Sequence, residues 1–350
     1  MRFKYLYRIV ILIILNSCIC SCSTDSEQSG DVQGEDNRIL FSASSSPLTR
    51  VADAGEVSAL PQGTKFAIRM FYDNRTTTST DTEFNSSEES YMKVDDAVGT
   101  CHFTNSAYNA ASETASGVTR FYWNNRKYHA FVAYTELSDD APKIASGFNN
   151  FTMSEQKDPL LALVKKRPEG GTNEANKVVL TFEHQFAKVE INVKPDGTSV
   201  GAEGETVEIQ SVILTGVAET SRVYMSYESS GQHSSTVAFS DTTHYAMSPI
   251  ITPTAGYSAS FSAIAFGNLQ GMIINWTEVT KDAENKEYRV KHVVVYPFKD
   301  KDILTLASGK KYVFGVSLRR GTISTINTTI VNWGDDGIPN NANGIIVTGQ

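Results

Sequence analysis

The feature that most constrains the fold is the recurrence of strand-length apolar segments between short polar turns. In the second half of the chain these segments follow one another at roughly regular intervals, which is typical of an all-β sandwich. They span residues 206–216, 222–227, 258–266, 272–277, 288–296, 311–318 and 322–333. No stretch keeps a helical period long enough to build the crossover helix of a parallel sheet. The sequence therefore predicts an all-β protein.

Composition supports this class and narrows the partners. The chain has 17 Phe and 15 Tyr but only 20% charged residues, a balance that favours many short strands joined by polar turns. Its net charge of −8 and its pI near 5.4 argue against a nucleic-acid partner, which would require a basic face.

The first half contains fewer strand signals, and they are unevenly spaced. Alternation over residues 39–43 places Ile39, Phe41 and Ala43 on one face of a short first strand. A second strand is predicted over 65–72, a long polar loop over 74–90, and an aromatic hairpin from 121–123 and 128–134.

A segment rich in charge and glycine, 165–177, separates the two blocks of strands. The second block opens with 178–193, whose second half alternates apolar and polar side chains and which predicts one long half-buried strand. We therefore expect two β-sandwiches in series, over residues 38–175 and 176–350.

The N-terminus has the pattern of a bacterial secretory signal. Basic residues at positions 2, 4 and 8 precede an apolar run of seven residues, far short of the roughly 20 needed to span a bilayer. Ser21-Cys22 followed by a polar stretch predicts a lipoprotein with Cys22 acylated, residues 1–22 as signal peptide and 23–37 as a flexible tether. Cys18 is the alternative lipid site, and a plain secretory peptide with incidental cysteines is the other interpretation.

No catalytic or metal-binding constellation is apparent, so the sequence predicts neither an enzyme, a cofactor nor a metal site. The six histidines are dispersed, and none pairs at the helical spacing of a zinc site. We expect His129 and His184 to be packed or edge-exposed side chains with a hydrogen-bond partner but without a suitably placed carboxylate or cysteine. Trp123, Trp276 and Trp333 are expected in the core, although exposed tryptophans would favour sugar stacking.

Five segments together resemble the fimbrillin or Mfa-like lipoproteins of Bacteroides-type bacteria, which build type V pili and related adhesins. These are the cysteine-containing end of the signal, 39–43 running to Arg50, 121–134, 180–189, and 309–312 leading into 330–333. The resemblance implies two transthyretin-like, Greek-key β-sandwiches and export to the outer membrane and cell surface as a lipoprotein. It also implies partnership with other pilus subunits through strand exchange.

In that family a trypsin-like cleavage after an arginine removes the first strand, and Arg50 matches the position. Cleavage there would release the lipid anchor together with the strand containing Ile39, Phe41 and Ala43, and open a groove for a donated strand. The alternative is that Arg50 is an ordinary loop arginine and the first strand stays in place.

The C-terminus departs from a polymerising subunit, because only residues 344–348 form a strand-like segment, and this is short for a donor. The expected function is thus a pilus subunit or surface adhesin, with a tip or accessory role and a ligand on a host or bacterial surface. The competing function is a surface-anchored glycan-binding lipoprotein of a polysaccharide uptake system.

Overall fold

The fold is that of a computed structural model, and its described part consists of β-strands and their connections. The structure describes residues 39–45, 65–73, 92–104, 107–110, 121–135, 147–169, 175–198, 205–227, 233–234, 237–239, 241–299, 303–320 and 322–333. Within these residues there is no α-helix, only a 3-10 turn at Met153–Glu155. No helix among them is long and apolar enough to cross a membrane.

A seven-stranded sheet occupies the N-terminal side. Its strands are β1 (Phe41–Ser45), β2 (Lys65–Asp73), β3 (Met92–Thr104), β4 (Ala107–Ala110), β5 (His129–Tyr134), β7 (Leu160–Lys166) and β8 (Val178–His184), and β6 (Gly147–Thr152) leaves this sheet to pair elsewhere. The order is β1-β8-β7-β5-β2-β3-β4. The β1–β8 ladder is parallel and the others are antiparallel. The two end strands β1 and β4 approach each other, so the sheet is strongly curled.

Two further sheets face each other on the C-terminal side. The strands are β9 (Ala187–Pro195), β10 (Glu205–Ala218), β14 (Thr242–Ala246), β15 (Ser248–Pro249), β16 (Ala259–Ala265), β17 (Gly267–Lys281), β18 (Glu287–Pro297), β19 (Leu304–Thr305), β20 (Lys310–Arg319) and β21 (Thr322–Asn332). One sheet has the order β15-β16-β9-β20-β21, and the other has β14-β10-β17-β18 with β19 also paired to β17. They form a sandwich.

A small fourth sheet joins the two halves of the chain. It contains β11 (Thr220–Tyr227), β12 (His233–Ser234) and β13 (Val237–Phe239), and β6 pairs antiparallel with β11. A strand from the first block is thus hydrogen-bonded to one from the second.

The core is divided into two clusters, and β5 contributes to both. Phe131 and Ala133 belong to the cluster inside the curled sheet, whereas Val132 and Tyr134 belong to the larger cluster that continues into the C-terminal sandwich. Successive side chains of a strand point to opposite faces. This explains why all six residues of β5 are buried.

The prediction of one long strand over 178–193 is wrong. The chain bends at Gln185 and Phe186 between β8 and β9. β8 pairs with β1 and β7 in the N-terminal sheet, while β9 pairs with β16 and β20 in the C-terminal sandwich. Buried Phe186 occupies the bend because its side chain fills the core on the C-terminal side. Residues 178–184 thus pair within the N-terminal sheet, and the division into two domains near residue 175 stays a prediction.

Other strand predictions are confirmed or corrected individually. Seven strands occupy the predicted segments within a few residues, namely β2, β10, β11, β16, β18, β20 and β21. Strand β17 is longer than predicted. The hairpin is half wrong, because Phe121 to Trp123 contains a single bridge residue and not a strand. β3, β4 and β6 were not predicted, since their sequences lack strong apolar alternation.

Candidate functional site

The first strand is held at one edge of the curled sheet. β1 runs parallel to β8 with Phe41 opposite Val178 and Ala43 opposite Leu180. The Val178 N–H donates to the Leu40 carbonyl at 2.8 Å, and the Ile39 N–H donates to the Phe121 carbonyl at 2.9 Å. Among the described strands only β8 forms a ladder with β1.

Two side chains fix this strand in the core. Ile39 is 2% exposed and Phe41 is 3% exposed. The Phe41 ring meets those of Phe121 and Phe131 edge to face, with centroid distances of 5.5 and 5.6 Å. Fully burying such a side chain contributes roughly 1.5–3 kcal/mol, so the two together contribute about 3–6 kcal/mol. The first strand is therefore an insert that fills an apolar cleft.

The cleft is lined by the cluster inside the curled sheet. The remaining buried members of this cluster are Ile68, Met70, Tyr72, Phe121, Trp123, Phe131, Ala133, Leu160, Ala162, Val178, Leu180 and Phe182. They come from β2, β5, β7, β8 and the segment that precedes β5. Without β1, the cleft would expose apolar side chains and one edge of β8 at the same time.

His129 lies at the bottom of this cleft as a neutral packed side chain. Its Nδ1 lies 3.0 Å from the Lys127 carbonyl, and the Asn124 backbone N–H donates to its Nε2 at 3.3 Å. We therefore assign the proton to Nδ1. Burial outweighs the raising effect of the Lys127 carbonyl and lowers the pKa of His129 to about 4. The expectation of a packed histidine with a hydrogen-bond partner is confirmed here.

His184 departs from the expectation, because a carboxylate accompanies it. Its Nδ1 lies 2.6 Å from Asp158 Oδ2, and its ring stacks on Trp333 at 4.2 Å between centroids. Burial raises the pKa of Asp158, and the contact with His184 opposes that rise. The sequence pattern does not predict this pair, because Asp158 lies in the connection before β7 and His184 ends β8. The stacking of His184 on Trp333 joins the residue after β21 to the N-terminal sheet.

A second histidine cluster lies between β17 and β18. The ring of His292 stacks on Trp276 at 4.0 Å, and its Nε2 lies 3.1 Å from Glu278 Oε2. Arg320 also pairs with Glu278 and donates to Glu205 at 2.9 Å. The guanidinium of Arg320 lowers the pKa of Glu278 against the opposing effect of burial, and His292 adds to the lowering.

The tryptophans are mainly structural. Trp123 and Trp276 are buried, which confirms the expectation of core packing, while Trp333 is half-buried against His184. In the part of the chain that the structure describes, no three His, Cys, Asp or Glu side chains are grouped so that they could hold a metal ion.

The structure brings together only part of the predicted site. Ile39, Phe41 and Ala43 all belong to the segment beside β8, with Ile39 and Phe41 in the core. Cys22 and Arg50, predicted for lipid attachment and processing, lie outside the described residues, as does the alternative Cys18. By sequence, Arg50 falls in the connection between β1 and β2.

The family follows from a comparison of the sequence with known families. The fimbrillin-like family profile matches residues 49–333, most of the chain. The chain belongs to the fimbrillin-like family. Its matched range begins after β1 and ends with Trp333, so it contains the cleft but not the strand that fills it. Among curated proteins, none matches this fimbrillin-like chain.

Several solved structures are similar to this fimbrillin-like protein at low sequence identity. A candidate cell adhesion protein from Bacteroides uniformis is 17% identical with a TM-score of 0.50, over 86% of this chain and 100% of the other. A fimbrial protein from Bacteroides vulgatus is 14% identical with a TM-score of 0.46, over 85% and 99% of the two chains. The tip fimbrial protein Mfa3 from Porphyromonas gingivalis is 8% identical with a TM-score of 0.40, over 85% and 99%.

Proposed function

We propose that this fimbrillin-like protein is a non-enzymatic pilus subunit or surface adhesin, exported as a lipoprotein acylated at Cys22 and assembled by strand exchange. In this proposal it consists of two transthyretin-like sandwich domains and serves as a tip or accessory subunit at the cell surface. The observation that carries the proposal is the position of β1. This strand fills an apolar cleft, yet it is paired to the sheet along one edge.

Cleavage after Arg50 would make the first strand exchangeable. Residues 46–64 connect β1 to β2, so a cut in this connection leaves β1 held by noncovalent contacts alone. Its ladder and its two buried side chains could then be replaced by those of an incoming strand, which would pair with β8 and place apolar side chains where Ile39 and Phe41 lie.

Burial of the tryptophans weighs against the competing glycan-binding function. Sugar stacking requires an exposed aromatic face, but Trp123 and Trp276 are buried and Trp333 is stacked on His184. Partner subunits are therefore better supported than glycans.

Processing can be tested on the assembled protein at the cell surface. N-terminal sequencing should give Val51 as the first residue, and SDS-resistant ladders should be present. Arg50→Ala should abolish both, whereas the matched variant Arg75→Ala should abolish neither. A mature protein that begins at Cys22 while ladders persist would contradict removal of the first strand.

Strand exchange can be tested separately with purified protein. After trypsin cuts at residue 50 and the cleaved N-terminal segment is removed under mildly denaturing conditions, a synthetic peptide of residues 38–45 should bind in its place and raise the melting temperature. A peptide with Ile39 and Phe41 changed to Ser should not, because it lacks the two groups that fill the cleft. Equal effects of both peptides would contradict the role assigned to the cleft.

A further inference from the structure

The second edge of interest is β18, where exposed apolar side chains are concentrated. Within the described residues six large apolar side chains are strongly exposed. Four of them lie on this single strand, namely Tyr288, Val290, Val293 and Val295, and the other two are Val179 and Ile251. β18 is an end strand of its sheet and forms a ladder with β17 alone among the described strands. A long edge with exposed apolar side chains is a surface for strand pairing.

The hydrogen bonds beyond each end of the β17–β18 ladder show which backbone groups of β18 have no partner on β17. The Phe298 N–H donates to the Gln270 carbonyl at 2.8 Å, and the Asp282 N–H donates to the Lys286 carbonyl at 3.1 Å. Both pairs continue the register of the ladder. Because hydrogen-bonded pairs alternate along an antiparallel ladder, even-numbered residues of β18 bond to β17. Odd-numbered residues direct their N–H and C=O groups to the free edge.

The sequence of β18 is symmetric on one face. Its even-numbered residues read Tyr288, Val290, His292, Val294 and Tyr296, which is a palindrome centred on His292. Two antiparallel copies of this strand would therefore place each Tyr opposite Tyr, each Val opposite Val, and His opposite His. Self-complementarity of this kind is what a two-fold symmetric interface requires.

The other face fits the same register. It places Arg289 opposite the partner copy's valine at position 295 and Lys291 opposite its valine at 293, so that no two charges of like sign are paired. These are the odd-numbered residues with free backbone groups. Four such pairs with two hydrogen bonds each give about eight hydrogen bonds between the copies.

Neighbouring registers are poorer for identifiable reasons. The buried faces of the two sheets must lie on the same side, so odd-numbered residues must stay opposite odd-numbered residues. The nearest alternative registers therefore move the centre of the pairing by one residue, to 291 or 293. A centre at residue 291 places Lys291 opposite its own copy. A centre at residue 293 places Arg289 opposite Pro297, which has no N–H to donate.

We infer that β18 is a docking edge for a second copy of this chain, paired antiparallel about His292 to join the β18-containing sheets of the two copies. This contact is separate from strand exchange, because it lies in the C-terminal sandwich and leaves β1 in place. It would associate subunits side by side, whether or not the proposed pilus function holds.

The test is sedimentation of the purified chain up to about 100 μM, where a contact of micromolar affinity would be filled. Wild type should dimerise with increasing concentration. Val295→Pro should weaken the dimer roughly tenfold or more, because it removes an N–H that faces the free edge and leaves the β17 ladder intact. The matched variant Val295→Thr keeps that N–H and should dimerise nearly as wild type. Melting curves check that each variant is folded.

A charge pair tests the register itself. Val293→Lys would face Lys291 of the other copy twice per dimer and should weaken association roughly tenfold, whereas Val293→Glu should preserve or tighten it. A wild-type chain that stays monomeric would overturn the inference. Equal weakening by the Lys and Glu variants would also overturn it, since loss of an apolar surface without a defined register affects both alike.

Discussion

The two end strands β1 and β18 are built in opposite ways. β1 has five residues, and its segment is anchored by side chains inserted into the core. β18 has eleven residues, is paired with β17 along its whole length, and turns several of its valines to solvent. The difference teaches that end strands can be held in two ways, and it underlies both proposals: β1 would be exchangeable because its contacts are few and separable, and β18 would be adhesive because it is paired along its whole length and turns its other edge outward.

The largest expected effect on stability comes from removing the buried Phe41 side chain, which holds the first strand in the core. Phe41→Ala should lower the free energy of unfolding by about 3–5 kcal/mol, because it deletes a buried ring and leaves a cavity against Phe121 and Phe131. Urea unfolding of the uncut protein measures this. If the loss is below about 1 kcal/mol, β1 is not held by its side chains and the contrast between the edges fails.

A second effect of similar size concerns acid and the cleft of β1. The pKa of His129 is lowered from 6.5 to about 4 in the folded protein, so the unfolded chain takes up a proton that the folded one excludes. Stability should therefore fall as the pH drops from about 6.5 to 4, by up to about 3 kcal/mol.

The measurement is the midpoint of urea unfolding at a series of pH values. His129→Asn does not titrate at this position, so it should be less stable at neutral pH. Its stability should no longer show the fall between pH 6.5 and 4 that His129 causes. His244→Asn, at an exposed strand position, is the control and should retain it. An unchanged slope in His129→Asn would show that another group governs the acid sensitivity of the cleft.

A smaller effect is expected beside β18. The pKa of Glu278 is lowered chiefly by Arg320, so its contribution to stability is present above its ordinary pKa near 4.5 and is lost as the pH falls through the lowered value. Glu278→Gln should lower the melting temperature by a few degrees at pH 7 and by less at pH 3. Equal losses at both pH values would mean that packing and not charge is what Glu278 supplies.

The smallest effect on stability should come from the exposed face of β18. Val293→Ala removes a side chain that is 62% exposed, and it should change the free energy of unfolding of the monomer by less than about 0.5 kcal/mol. Calorimetry at low protein concentration measures this. A loss comparable to that of Phe41→Ala would place Val293 in a covered interface within one chain, and the comparison of the edges would have to be abandoned.

The sequence predicted most of the C-terminal strands, because they alternate apolar and polar side chains along their length, as β20 does with inward Tyr312, Phe314 and Val316. It failed at Gln185 and Phe186, because β9 begins directly after this bend and the two strands read as one segment. Periodicity reports which faces are buried but not which neighbour buries them. Strand β3 was missed because Asp95 and Asp96 interrupt the apolar alternation in its first half.

For the candidate site, the sequence identified Ile39, Phe41 and Ala43 through their alternation and the family resemblance. It could not place Phe121 and Phe131 around Phe41, since that contact depends on the curling of a seven-stranded sheet. The sequence also did not predict the carboxylate partners of His184 and His292. Asp158 is 26 residues from His184, and Glu278 is 14 residues from His292, and no spacing rule applies to side chains that meet across strands.

The bend at Gln185 and Phe186 has a mechanical consequence. β8 carries the edge where a donated strand would pair, and only these two residues separate it from β9, which lies parallel to β20 in the C-terminal sandwich. In the proposed strand exchange, a pulling force on the donated strand would act along β8 and pass through the bend to β9. It would load both parallel ladders in shear, so that their backbone hydrogen bonds resist together and do not open one at a time.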